Sequence, residues 1–168
     1  MKRLFAIALV IAVIAALLCA CSNSSSGNVQ TKVSGKYSDS YADSYASSVK
    51  TDDSGNKIYE FSSSQYESYT QNHKNSLGVE LQKEISKNHD EKYGEYAYIN
   101  DEKKAVIIGI HEDEYDESSA KTESAAAAEY GFRYFQNLQT PVDSIKVLYV
   151  DANDQNKIFG SFDYSVEK

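Results

Sequence analysis

Hydrophobic positions along this chain fall into two regimes. Leu4–Leu18 is an unbroken apolar run of fifteen residues. From about Tyr45 onward, apolar residues instead recur with the periods of regular structure. Tyr45–Lys50 reads as a weak strand, Thr51–Asn56 has turn chemistry, and Lys57–Phe61 alternates as a strand does. Tyr66, Tyr69, His73, Leu77, Leu81 and Ile85 then step by three or four, which predicts one face of a helix from Ser64 toward Asn88. Ser62, Ser63 and Ser64 offer an N-cap, Glu67 stands at capping-box spacing from Ser64, and Gly78 weakens the middle of that helix.

The same order recurs. Glu95–Ile99 is a strand, Asn100–Lys103 a turn, and Ala105–Ile110 the most apolar strand of the chain. A helix follows from Glu114 to Leu138, with Ala125, Ala128, Phe132 and Phe135 as its buried stripe and Pro141 beyond its end. A hairpin closes the pattern: Ile145–Val150, a turn over Asp151–Asn156, then Ile158–Tyr164. The string is ββα-ββα-ββ. It predicts an α+β fold, with an antiparallel sheet of about six strands and two helices on one face. Ile58, Phe61, Tyr66 and Glu67 align with Ile107, Ile110, Tyr115 and Asp116 at a constant offset of 49, a faint echo of duplication.

The first apolar run is too short for a membrane span, which needs about twenty residues. It follows Lys2 and Arg3 and ends in small residues, as a cleaved export signal does. Leu18-Cys19-Ala20-Cys21 resembles the lipobox of bacterial lipoproteins, in which an aliphatic residue, a variable position and a small residue precede the modified cysteine. The resemblance covers only the first 21 residues. It implies cleavage after Ala20, a diacylglyceryl thioether on Cys21, usually further acylation such as palmitate, and a lipid-anchored protein on the extracytoplasmic face of a bacterial membrane. Two or more acyl chains give a durable anchor where one does not. Cys19 and Cys21 are the only cysteines, so cleavage leaves Cys21 without an intramolecular partner.

Signal residues 1–20 are therefore followed by a lipidated, Ser-rich tether over 21–43 and one domain over 44–168. The polar stretch from Ser22 to about Ser40 reads as flexible linker, and nineteen such residues span about 25 Å on average. Loss of Lys2 and Arg3 takes the formal net charge from −8 to −10. So acidic a domain does not seek nucleic acid and is repelled by anionic headgroups. The membrane is then a partner through Cys21 alone.

Candidate chemistry is sparse. Glu112, Asp113 and Asp116, within the acidic run that also holds Glu114 and Glu117 beside His111, offer oxygen ligands of the kind Ca²⁺ takes. Acids at a helix start also complement its dipole, the simpler reading. Asp151–Asn156 has the alternating oxygens of a calcium loop but lacks its glycine and closing glutamate, and turn chemistry explains it. Ser118-Ser119-Ala120-Lys121 fits S-x-x-K without the companion motifs of that chemistry. His73, His89 and His111 share no metal-ligand spacing. No catalytic residue and no cofactor follows from these patterns, and the case for an enzyme is weak.

All fourteen tyrosines lie beyond the signal, and there is no Trp. Tyr93, Tyr96 and Tyr98 gather near one strand start, with Tyr96 and Tyr98 on one face. Tyrosine suits contact with a protein or glycan partner. It also fills half-buried strand positions. The sequence thus points to an anchored binding or interaction module of the envelope. The alternatives are a small hydrolase with converging carboxylates and a structural spacer.

Overall fold

In a computed structural model, residues 27–38, 40–89 and 95–166 are described. The signal segment, the lipobox with Cys21, and Tyr93 lie outside them. The fold is α+β.

Order begins earlier than the sequence suggests. Asn28–Val33 forms strand β1, within the stretch read above as tether. Val29, Thr31 and Val33 alternate with polar residues, and Thr31 and Val33 are buried. A polar-rich segment thus hides a period-two strand. Tyr37 and Ala42, in the 3-10 turn Gly35–Tyr37 and the short helix α1 (Ser40–Asp43), anchor the chain that follows. Strand β2 (Ser48–Thr51) and β3 (Lys57–Ser62) come next, joined by the expected turn.

Helix α2 runs unbroken from Ser63 to Ile85, straight through Gly78. Of the three serines that offer an N-cap, Ser62 is the one used, and Gln65 rather than Glu67 completes the capping box. Ser62 Oγ accepts from the Gln65 N–H while Gln65 Oε1 accepts from the Ser62 N–H at 2.8 Å, a reciprocal capping box. Tyr69, His73, Leu77, Leu81 and Ile85 are buried as their spacing predicts, with Tyr66 half-buried at the end of the stripe.

The second half contains β4 (Tyr96–Asn100), β5 (Ala105–Ile110), α3 (Glu117–Phe135), β6 (Ser144–Asp151) and β7 (Ile158–Ser165). Of the stripe expected on α3, Ala128, Phe132 and Phe135 are buried and Ala125 is exposed. Ala127 and Gly131 occupy the close approach instead.

The sheet layout departs from the single antiparallel sheet. Among the described residues there are two sheets, β1-β3-β2 and β4-β5-β6-β7, and β5 pairs with β6 in parallel through α3. The reason lies in β5. All six of its residues are buried, so both its faces are covered. A strand of that kind accepts a helical crossover to a parallel neighbour. Val106, Ile108 and Ile110 face the main core with the helices, whereas Ala105 and Ile107 join Leu148 and Val150 under Tyr96 and Tyr98 on the outer face. Among the described residues, no helix is long and apolar enough to cross a membrane.

Candidate functional site

Four segments meet at one end of the larger sheet. His89 lies just past the C-terminus of α2, where the chain leaves through Asn88, whose N–H donates to the Ile85 carbonyl. Glu95 directly precedes β4. Glu114 ends the 3-10 turn Glu112–Glu114 that follows β5. Glu123 stands on α3, whose start is fixed by Asp116: its Oδ1 accepts from the Ser119 N–H at 2.8 Å.

The imidazole of His89 is the centre of this group. Its Nε2 lies 3.0 Å from Glu123 Oε2 and 3.1 Å from Oε1. Its Nδ1 faces the other two acids, 3.5 Å from Glu95 Oε1 and 4.0 Å from Glu114 Oε2. Glu123 is itself held. Tyr149 Oη, on β6, donates to Oε2 at 2.8 Å, and Asn88 Nδ2 donates to Oε1 at 3.0 Å. Tyr149 Oη also lies 3.1 Å from the Ala120 carbonyl.

The side chains of Glu95, Glu123 and His89 are only 4%, 8% and 12% exposed. Among the described residues, Glu95 Oε1 and Glu114 Oε2 are buried and accept no hydrogen bond from another group, and the two carboxyls hydrogen-bond each other when Glu95 is protonated. One ligand atom each from His89, Glu95 and Glu114 lies within 4.8 Å of the other two.

The electrostatics follow from this packing. The hydrogen bond to Glu123 raises the His89 pKa against the opposing effect of burial. Burial works against a charged Glu123, but donors from His89, Asn88 and Tyr149 outweigh it and hold its carboxyl below the ordinary range. Burial, reinforced by the neighbouring Glu114, pushes Glu95 up to about 8. Burial and the Glu123 carboxylate push the Tyr149 phenol well above its usual value, so it stays a donor. Glu123 is therefore the carboxylate committed to the histidine, while Glu95 and Glu114 are not satisfied by it.

A cavity of about 830 Å³ opens beside the group, lined by Asn88, His89, Ile110, Glu114, Ser118, Ser119, Glu123 and Tyr149 among others. A second, shallower hollow of about 910 Å³ runs between α2 and β4 past Lys74, Val79, Tyr98 and Asp101. The Lys74–Asp101 ion pair lies on its lining.

The residues singled out from sequence take other places. Glu112 pairs with Lys157. Asp113 sits in the exposed 3-10 turn, and Asp116 caps α3. Only Glu114 of that acidic run joins the cluster. Asp151 and Asp154 close the β6–β7 turn through Oδ1, accepting from the N–H groups of Asn153 at 2.9 Å and Asn156 at 3.0 Å. Ser118–Lys121 is the first turn of α3. His73 is buried against Tyr69, with Nε2 3.2 Å from the Arg133 carbonyl. Tyr96 and Tyr98 do share a face, their ring centroids 6.0 Å apart, and there they cover Ile107 and Leu148.

Sequence reasoning missed His89, Glu95 and Glu123 as a set. Their spacing matches no local motif, because the four contributors come from four segments that only the fold assembles. No protein-family model, no curated protein and no solved structure matches this chain.

Proposed function

We propose that this chain is a lipid-anchored binding module of a bacterial envelope, held through Cys21 on the extracytoplasmic face and binding its ligand at the cavity beside His89. The observation that carries the binding half is the convergence of one imidazole and three carboxylates on a concave, partly dry site. Concave sites with a few convergent polar groups and perturbed pKa values are where ligands bind. The anchoring half rests on Leu18-Cys19-Ala20-Cys21 and the apolar run before it.

Two measurements test the reading. Cys21→Ser should lose labelling by radioactive palmitate and leave the membrane fraction or accumulate as precursor. A variant that stays membrane-bound at mature size contradicts the anchor. Native mass spectrometry of the protein extracted from membranes should find a bound species that Glu114→Gln releases. Identical ligand-free masses for both proteins contradict the binding site.

A further inference from the structure

We propose that His89 Nδ1, Glu95 Oε1 and Glu114 Oε2 hold a divalent first-row transition ion, with Zn²⁺ as the reference case, at a site bordering the cavity. This deepens the binding-module reading and rests on it. Four observations converge.

The first is the orphaned carboxylates. The Glu95 side chain is 96% buried, being 4% exposed, and among the described residues no other group donates to its Oε1. Glu114 Oε2, from a different segment, is buried without a donor in the same place. Buried acceptors without donors are costly and rare. A proton on Glu95, shared with Glu114, serves these two oxygens below about pH 8, and a cation held between them and His89 Nδ1 would take that proton's place.

The second is the orientation of the imidazole. With its proton on Nε2, directed at Glu123, His89 presents the Nδ1 lone pair to the two orphaned oxygens. A carboxylate that accepts from the far nitrogen of a ligand histidine is the usual support of a metal site. Here that support is itself braced by Tyr149 and Asn88. Glu123 is thus a positioning residue, not a ligand.

Distance is the third. Ligand bonds of about 2.0–2.2 Å set tetrahedral donor atoms about 3.4 Å apart. Nδ1 and Glu95 Oε1 already stand at 3.5 Å, and Nδ1 and Glu114 Oε2 at 4.0 Å. The Glu95 and Glu114 ligand atoms lie within 4.8 Å of each other.

The donor set is the fourth. Ca²⁺ and Mg²⁺ take oxygen almost throughout, whereas an imidazole with carboxylates suits Zn²⁺ and its first-row neighbours. Glu114 and Glu95, the latter releasing its proton as the ion binds, also balance the charge of such an ion. Three protein ligands leave room for a fourth, and His89 and Glu114 both line the cavity from which it would come.

The test uses the full lipidated chain in detergent, stripped with a chelator and titrated calorimetrically with Zn²⁺ and, separately, Ca²⁺. One Zn²⁺ should bind per chain, undisturbed by an equal concentration of Ca²⁺. His89→Ala and Glu114→Gln should each abolish saturable binding, and Glu112→Gln should leave it intact. Glu123→Gln should keep the stoichiometry and weaken affinity about 10–100-fold. Circular dichroism confirms that each variant is folded, and Glu114, the most exposed of the three ligands, supplies the gentlest variant. The proposal is overturned if the folded wild type binds no Zn²⁺, Co²⁺ or Mn²⁺, or if His89→Ala and Glu114→Gln bind Zn²⁺ as the wild type does. Equal, His89-independent binding of Ca²⁺ overturns it as well. An organic species retained by a chain that binds no ion overturns the metal site but leaves the binding module standing. Neither ion nor organic species overturns both.

Discussion

Tyr149 Oη donates to Glu123 Oε2 at 2.8 Å, tying the parallel strand β6 to the carboxylate that orients His89. The bond crosses from the sheet to the helix that packs on it, so the sheet core sets the site. Tyr149 is fully buried, its ring tilted against Tyr115 and edge-on to Phe162. Tyr149→Phe keeps that packing and removes the donor. It should cost about 1–3 kcal/mol, because a buried carboxylate loses a partner. Chemical denaturation measures this, and a cost near zero would show that Glu123 does not depend on Tyr149.

Gly109 exists for Tyr96. A Cβ on Gly109 would stand 2.3 Å from Tyr96 Cζ, since the ring lies flat over the β5 backbone. Gly109→Ala should therefore destabilise by about 1–3 kcal/mol through overpacking. In the background of Tyr96→Leu the penalty should shrink by at least about 0.5 kcal/mol, the coupling of residues in contact. Additive effects in the double-mutant cycle would refute the contact.

Of the three adjacent serines that could cap α2, Ser62 is the one whose side chain does so. Ser62→Ala removes the side chain that caps α2 and should cost about 1 kcal/mol. Ser64→Ala should change stability by less than about 0.5 kcal/mol, as exposed substitutions do. Thermal unfolding of the two variants compares them directly. The reverse order would place the cap at Ser64.

The β2–β3 turn carries a pH dependence. Lys32 Nζ lies 2.7 Å from Asp52 Oδ2, and the Asn56 and Ser54 N–H groups donate to Oδ1 at 2.9 Å. Lys32 first, then Asn56, hold the Asp52 carboxyl well below its ordinary range. A depressed folded-state pKa favours the fold above the unfolded value, and that contribution is lost as pH falls toward the folded one. The stability advantage of wild type over Asp52→Ala should thus narrow between about pH 6 and about pH 3. Denaturation at several pH values follows it, and a constant difference would mean that the Asp52 charge contributes nothing.

Much of the helical fold was legible in the residues. Tyr69, His73, Leu77, Leu81 and Ile85 declare a buried stripe by spacing alone, and the bounds of Ala105–Ile110 follow from its unbroken apolar run. Strand β1 was hidden because Gln30 and Lys32 dilute an alternation carried by only Val29, Thr31 and Val33. The parallel pairing was hidden for another reason. β5 buries both faces, but its sequence does not say which strand covers its second edge. The site was the least legible part. Glu114 was visible only as one acid in a run. His89, Glu95 and Glu123 carry no mutual spacing, and three-dimensional packing alone turns them toward one another. A local motif would have needed two of them a turn apart on one helix, and Glu123 is the only one of the four on α2 or α3.

Anomalous diffraction at the zinc edge, from crystals of the full chain grown with Zn²⁺, tests the central claim most directly. One strong peak is expected about 2.0–2.2 Å from His89 Nδ1, Glu95 Oε1 and Glu114 Oε2. A map without that peak, in which His89 Nδ1 instead donates a hydrogen bond to Glu95, would contradict it.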